Sequence, residues 1–178
     1  MITKNFYVLL AAGITYDSER KQFPLTGWDG STTSNYCWYN NGPQIFIKEA
    51  MQTVATSAPR ATTSFTQVMF GTGDTPPTIN DYNLSGNFIT GLVATKATTN
   101  LINSDSFSIT TRYTLTNTGA EAVTIKEVGL GQSFHYYGNS ENSCLIDRTV
   151  LDVPVTIPAG GIGQVEYTIT FNYPTATT

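Results

Sequence analysis

Apolar and polar residues alternate with a period of two along most of the chain after residue 63, which predicts β-strands with one buried face. The clearest run is SFSITTRYTLTN at residues 106–117, and a second, GQVEYTITF, lies at residues 163–171. Their apolar parity comprises Phe107, Ile109, Tyr113, Leu115, Val165, Tyr167, Ile169 and Phe171. Short alternating strands with turn formers between them are typical of a β-sandwich. We therefore predict a mainly β fold, a β-sandwich of the immunoglobulin-like or jelly-roll type.

One predicted strand departs from this regularity. In the segment AVTIKEVGLG, Val123 and Ile125 have one parity, whereas Val128 and Leu130 have the other. A β-bulge near Lys126–Glu127 would bring these four side chains onto one apolar face, so a bulge is expected there.

The chain begins with an apolar segment, FYVLLAAGI at residues 6–14. This run is far too short to span a bilayer, so we predict no membrane association. We expect a short N-terminal helix or strand that docks on the core or on a neighbouring subunit. Its interface candidates are Phe6, Leu9 and Leu10.

Composition divides the chain near Ala58–Pro59 into an irregular N-terminal segment, residues 1–58, and a β-sandwich domain, residues 59–178. Residues 17–43 are rich in turn formers and fit no period, which predicts a long loop. The aromatic interface candidates of this loop are Trp28, Tyr36, Trp38 and Tyr39. Three roles stay open for them: a small local core, a subunit interface, and stacking on the rings of a bound glycan.

Charge content limits what this fold binds. Charged residues make up 12% of the chain, about half the usual quarter, and the net charge is −4. Thirty threonines are present, and threonine fits half-buried strands. The sequence contains no run of Lys or Arg, whereas nucleic-acid binding needs clustered cations to neutralise phosphates. We therefore predict no nucleic-acid partner.

Residue types that carry catalysis are scarce. His135 is the one histidine in the sequence and no G-x-S-x-G elbow is present, so we predict that the chain is not an enzyme. Cys37, Cys144 and His135 match no zinc motif, and we predict no metal and no cofactor; pairing of the two cysteines stays open. Four loop acids could ligate calcium, although turn formation is their expected role: Asp17, Asp29, Asp74 and Asp81.

Asp147 and Arg148 stand side by side inside the predicted strand CLIDRTVLDVPVTIP. Adjacent strand residues point to opposite faces, so these two are not expected to pair with each other. We predict that Arg148 forms a structural ion pair with a carboxylate on the next strand or on a neighbouring subunit, and we count it among the interface candidates.

The stretch GTGDTPPTINDYNLSG, residues 71–86, opens like a phosphate-binding loop. A P-loop needs a lysine and a following helix, but Pro76 and Pro77 stand there instead. The third glycine of a dinucleotide-binding motif is also missing. We interpret the stretch as a hinge between strands, followed by a short turn with Thr78 as its N-cap and Leu84 packed on the core.

Three ordered segments carry a further signal. The first is the strand end GTG followed by TPPT and D-Y-x-L. The second is RYTLTNTGAEAVTIKEVGL, and the third is LIDRTVLDVPVTIPAGGIGQVEYTITF. Together they resemble a group of small structural proteins of tailed-bacteriophage virions, and NFYVLLAAG resembles the short N-terminal apolar segment of that group. The resemblance covers residues 64–172, and residues 17–43 depart from it.

The resemblance implies a β-sandwich structural protein located on the virion, associated with the capsid, the head–tail junction or the tail. It implies other virion proteins (capsid, portal or tail) as partners and self-association into a homo-oligomer. No catalytic residue is transferred by it. The alternative function is a glycan- or receptor-binding tail adhesin module, which the aromatic residues around Trp38 motivate.

Overall fold

The computed structural model describes residues 1–8, 22–36, 53–54, 66–136 and 140–173. Within them a short helix, α1, covers residues 4–8. The strands are β1 (Gln22–Thr26), β2 (Thr32–Tyr36), β3 (Thr53–Val54), β4 (Thr66–Gly71), β5 (Leu92–Ile102), β6 (Ser106–Asn117), β7 (Val123–Tyr136), β8 (Ser140–Ile157) and β9 (Ile162–Asn172). The strands form sheets of two, four and three strands, in which β3 pairs parallel with β4. The fold is mainly β and consistent with a β-sandwich, so the predicted fold class is confirmed.

The chain forms two compact units, each made from two stretches of sequence. The first unit contains Met1–Thr90 and Ile125–Pro154, and the second contains Gly91–Thr124 and Val155–Thr178. β7 and β8 therefore contribute residues to both units. The boundary predicted at Ala58–Pro59 lies outside the described residues and stays a prediction.

The first unit is built on a four-stranded sheet in the order β3-β4-β7-β8. β4 pairs antiparallel with β7 in a register without breaks from Thr66↔Gln132 to Gly71↔Glu127. In this register Val128 and Leu130 are buried on one parity, and Glu127 and Gly129 are buried on the other. The change of apolar parity that suggested a bulge therefore reflects a strand that is buried on both faces.

A hairpin, β1-β2, occupies part of the stretch that was predicted to be a long loop. The turn formers of GWDGS close it tightly: the Asp29 carboxylate accepts a bond from the Ser31 N–H at 2.9 Å, and Gly30 has a φ of 78°. This φ lies in the left-handed region, which glycine adopts without strain. Trp28 precedes this Asp-Gly pair in the turn and, with Phe88, packs against a buried cluster of Met69, Leu84 and Leu145. The predicted packing of Leu84 on the core is confirmed.

The N-terminal residues cover the outer edge of β8. Ile2 forms an antiparallel bridge with Asp147. The Asn5 side-chain amide donates to the carbonyls of Leu145 at 3.1 Å and Thr26 at 2.9 Å, and its Oδ1 accepts from the Thr26 N–H at 2.9 Å. Because a covered edge does not pair with other chains, this docking protects one side of the sheet.

The second unit is a three-stranded antiparallel sheet in the order β5-β6-β9. The predicted inward parity is confirmed in β6 and β9, since burial alternates along both strands. The buried members are Ile109, Tyr113, Leu115, Val165 and Tyr167. Phe107 and Phe171 are half-buried and stack with 6.4 Å between their ring centroids.

Asn117 joins two turns of this unit, TNTG and PAGG. Its buried side-chain Nδ2 donates to the carbonyls of Glu121 at 2.7 Å and of Ile157 and Pro158 at 3.1 Å. Its Oδ1 accepts from the Gly119 N–H at 2.9 Å. A buried amide is tolerated when its polar atoms are bonded, so this side chain fixes one turn against the other.

Replacing this side chain tests its role. We expect Asn117→Ala to lower the free energy of unfolding by about 1–3 kcal/mol, because the buried Ile157 carbonyl loses its side-chain donor. Urea denaturation measures the loss, and Asn103→Ala, in the exposed β5–β6 turn, is the matched control. A cost for Asn117→Ala no larger than that for Asn103→Ala would contradict the role.

Candidate functional site

A buried pair of opposite charges lies in the first unit, on the adjacent strands β7 and β8. The Glu127 side chain is 0% exposed and that of Arg148 is 2% exposed. Arg148 Nε donates to Glu127 Oε2 at 2.7 Å. The predicted structural ion pair of Arg148 is confirmed, and its partner lies on the next strand of the same chain.

The other bonds of the Glu127 carboxylate come from the backbone of residues 71–86, which we name the 71–86 loop. Oε1 accepts from the N–H groups of Gly73 at 2.9 Å and Gly86 at 2.8 Å. Oε2 accepts from the Ser85 N–H at 3.0 Å. Convergent backbone N–H groups form an anion-binding arrangement. The stretch that opens like a phosphate loop therefore binds an anion, and this anion is a side chain of its own chain.

The glycines of the 71–86 loop allow this close approach. A Cβ atom on Gly73 would lie 2.4 Å from the Gly86 nitrogen and 2.5 Å from Glu127 Oε1. A Cβ atom on Gly86 would lie 2.2 Å from the Gly73 nitrogen. Because the Gly73 and Gly86 nitrogens are backbone atoms that cannot rotate away, a larger residue at either position would separate the loop from the carboxylate.

The Arg148 guanidinium extends the contact from β8 across the loop. Nη1 donates to Asp81 Oδ2 at 2.7 Å, and Nη2 donates to the Thr75 carbonyl at 2.7 Å and to Ser85 Oγ at 2.5 Å. The planar fork of arginine presents its donors in fixed directions, which suits several acceptors at once. We name Glu127, Arg148 and Asp81 the charged cluster.

Asp81 closes the turn that was predicted after the two prolines. Its Oδ2 accepts from the Thr78 N–H at 3.0 Å, and its Oδ1 accepts from Thr78 Oγ1 at 2.7 Å. The short turn is confirmed, but the expected N-cap role of Thr78 is wrong. No helix follows within the described loop, and the Asp81 carboxylate is the acceptor that binds Thr78.

Hydrogen bonds keep the charged cluster ionised despite its burial. Burial alone raises the pKa of Glu127, but backbone N–H groups and the Arg148 guanidinium outweigh it, and the pKa lies below its ordinary 4.5. Burial likewise raises the pKa of Asp81, and bonds from Thr78 and Arg148 hold it below 3.8. For Arg148, burial lowers the pKa and the two carboxylates more than compensate.

The arrangement uses its polar atoms to hold the fold. The Glu127 carboxylate accepts five hydrogen bonds and the Arg148 guanidinium donates four. Among the described residues, no group of three or more His, Cys, Asp or Glu side chains is placed to hold a metal ion. In the same residues, no helix has the length and apolarity needed to cross a membrane.

The interface candidates fall in different places. Trp28 packs on the core of the first unit, and among the residues that the structure describes its buried Nε1 has no hydrogen-bond partner. Phe6 is half-buried and makes an edge-on contact with Tyr7 at 5.7 Å between ring centroids. Arg148 is buried against its own chain. The remaining candidates lie outside the described residues and stay predictions: Leu9, Leu10, the side chain of Tyr36, Trp38 and Tyr39.

The loop acids are occupied in turns and ion pairs. Asp29 holds the β1-β2 turn, and Asp74 accepts from Lys126 Nζ at 2.9 Å. Asp17 lies outside the described residues, as do Cys37 and the side chain of His135, whereas Cys144 is buried in β8.

Sequence reasoning missed Glu127 as the acceptor of this cluster. The available signal was its position between two apolar parities, Ile125 on one side and Val128 on the other. A carboxylate in a strand buried on both faces needs a cation and several donors. Arg148 was recognised, but the loop donors were not.

Comparison of the chain with protein-family models, with curated proteins and with solved structures finds no match.

Truncation of Arg148 measures how strongly the cluster holds the first unit. We expect Arg148→Ala to cost about 3–5 kcal/mol of unfolding free energy, because the Glu127 carboxylate stays buried without its cation. The unfolding free energy of Arg148→Lys should lie between those of Arg148→Ala and wild type, because lysine keeps the positive charge but lacks the planar guanidinium and its several donors. The control is Arg112→Ala, which breaks an exposed cross-strand pair with Glu166 and should cost about 1 kcal/mol or less. Equal losses at the two arginines in urea denaturation would refute this ranking.

Acid should weaken the same contact. A carboxylate whose pKa is lowered by folding contributes stability above its unfolded pKa, which is 4.5 for Glu127, and loses it as pH falls through the folded value. The stability gap between wild type and Glu127→Gln should therefore be widest near neutral pH and narrow below about pH 4.5. Urea denaturation between pH 7 and pH 3 measures the gap, with the exposed Glu166→Gln as a control for the lost charge. A stability gap that stays constant between pH 7 and pH 3 would contradict a stabilising role for the ionised Glu127 carboxylate.

Proposed function

We propose that this chain is a structural component of a tailed-phage virion, a capsid auxiliary (decoration) protein or a head–tail or tail accessory protein. In this role it assembles with other virion proteins through protein–protein interfaces. One observation supports the proposal most strongly. The residues through which the chain resembles that group of proteins meet in the buried polar contacts of its two units.

The charged cluster unites motif residues that are distant in sequence. The GTG, TPPT and D-Y-x-L motifs supply Gly73, Thr75 and Asp81, the E-V-G-L motif supplies Glu127, and the R-T-V motif supplies Arg148. Since these residues bond to one another, the resemblance concerns the framework of the fold. Because the resemblance concerns the framework and transfers no catalytic residue, it agrees with a structural role.

The second unit supports the same interpretation. The TNTG motif supplies Asn117, and the VTIPAG motif supplies the Ile157 and Pro158 carbonyls that it binds. These motif residues also bond to each other.

The glycan-binding alternative rests on aromatic side chains. Trp28 is engaged with the core of the first unit, where its ring contacts the Met69 cluster. Trp38 and Tyr39 lie outside the described residues, so the alternative keeps the support it has from sequence.

The location on the particle tests the proposed function. Intact particles of the phage that encodes this chain should contain it in several copies, by quantitative mass spectrometry of purified virions and by immunogold labelling. Major capsid protein serves as the positive control, and a non-structural phage protein serves as the negative control. Absence of the chain from particles that contain every other structural component would refute the proposal. If the chain is present, cryo-electron microscopy of the particles would assign its position.

A further inference from the structure

The edge strand β5 of the second unit has the features of a strand that pairs with another chain. Within the described residues, β6 is the strand that pairs with β5, and no strand pairs with its other edge. β5 is 11 residues long, LVATKATTNLI, and Lys96 is its one charged residue. Edge strands that stay unpaired are usually short, bulged, interrupted by proline or rich in charge. β5 has little of this protection.

Exposed apolar side chains lie at both ends of β5. Val93 and Leu101 are each 56% exposed, and Ile102 is 74% exposed. Val93 pairs with Thr116, and Leu101 pairs with Ser108. Thr116 and Ser108 are even-numbered residues of β6, whereas the buried residues of β6 are odd-numbered. Residues directly opposite in a ladder share a face, so Val93 and Leu101 lie on the outer face of the sheet.

The backbone of β5 fixes which residues can bond to a further strand. Just before β5, the Gly91 carbonyl accepts from the Thr118 N–H, and just after it the Asn103 N–H donates to the Ser106 carbonyl. Hydrogen-bonded pairs alternate along antiparallel strands, so the odd-numbered residues of β5 bond towards β6. The even-numbered residues, such as Ala94 and Ile102, direct their N–H and C=O groups to the outer edge.

The sequence of β5 is self-complementary when two copies run antiparallel about a two-fold axis at Ala97. The facing pairs are then Val93 with Leu101, Leu92 with Ile102, and Thr95 with Thr99. Apolar side chains face apolar side chains at both ends, and threonines face each other near the axis, both of which favour cross-strand pairing. Lys96 falls opposite position 98, so the two ammonium groups do not face each other.

The other edge strand, β9, lacks this symmetry. If two copies of β9 paired about its midpoint, Tyr167, the exposed Ile162 would face Asn172 and Gly163 would face Phe171. An apolar side chain would then meet a polar one at each end. The pattern favours β5 as the edge that pairs with itself.

We propose that β5 is a homotypic interface, in which two copies of this chain pair their β5 strands antiparallel about a two-fold axis at Ala97. The two three-stranded sheets then form one continuous six-stranded sheet, and the interface is isologous. This inference deepens the proposed function, from which it takes the expectation of self-association.

A cysteine on the axis tests the register. Ala97 faces its own copy in a non-hydrogen-bonded pair, where Cα atoms lie about 4.5 Å apart, within the range of a disulfide. We expect the full-length Ala97→Cys protein to form a linked dimer under mild oxidation, seen on a non-reducing gel and as a linked peptide by mass spectrometry. Wild type controls for the native cysteines, and Thr168→Cys controls for an exposed position on β9. Neither control should link.

Lysines at the exposed apolar positions test the energetics. Val93→Lys combined with Leu101→Lys places like charges opposite each other and removes the apolar pairs. We expect the dissociation constant of the dimer, from analytical ultracentrifugation, to rise by on the order of tenfold or more. Gln164→Lys combined with Thr168→Lys adds the same charge on β9 and should leave the constant unchanged. Circular dichroism of all variants should match wild type, because the replaced side chains are exposed.

Several results would overturn the β5 interface. They are a wild-type monomer at high micromolar concentration, no link at Ala97, a link through Thr168→Cys, or an oligomer that is indifferent to lysines on β5. The outcomes also separate this inference from the proposed function. A chain present on particles that does not link at Ala97 overturns the interface alone, whereas a linked dimer of a chain absent from particles overturns the virion proposal alone.

Discussion

The bond between Arg148 and Glu127 is the contact on which the arrangement of the first unit depends. Two charges removed from water are costly, and a buried ion pair is stable when further bonds occupy the remaining lone pairs and protons. Here the 71–86 loop provides those bonds, because its N–H groups reach the carboxylate and its acceptors reach the guanidinium. Without the loop, the ion pair would lack its other hydrogen-bond partners, and without the ion pair, the loop would lack the groups that its backbone binds. The cluster thereby selects one path for residues 72–86, which form no helix or strand.

The same principle operates in the second unit without charge. Asn117 donates to backbone carbonyls of two turns, the buried Ile157 carbonyl among them, and accepts from the Gly119 N–H. In both units a polar side chain from a strand completes the hydrogen bonds of irregular chain, which regular pairing cannot do. Strands form the sheets through repeated backbone bonds, and single polar residues determine how the turns close.

This division explains which features could be predicted from sequence. The alternation in β6 and β9 reports burial directly, so strand positions and inward faces followed from it. The turn after Pro77 and the ion pair of Arg148 also followed from local chemistry. The role of Glu127 did not follow, because Arg148 lies 21 residues away and its loop donors lie 41 to 54 residues away, and the local pattern contains no information about such distances. The hairpin within residues 22–36 was missed because its strands are only five residues long and β2, TTSNY, has no apolar alternation.

The glycines of GTG show how one sequence pattern serves two chemistries. Glycine-rich loops bind phosphate because the backbone approaches an anion closely and directs N–H groups at it. A buried carboxylate also needs N–H groups at close range. At Gly73 and Gly86 the backbone comes so close to its neighbours that a Cβ atom would not fit. What distinguishes the two cases is the surroundings of the loop. Here prolines replace the helix, and an arginine of the same chain neutralises the anion, so the loop is closed to external ligands by its own side chains. A Cβ atom at Gly73 or Gly86 would push the loop away from the carboxylate, so these two positions fix the path of the loop in the first unit.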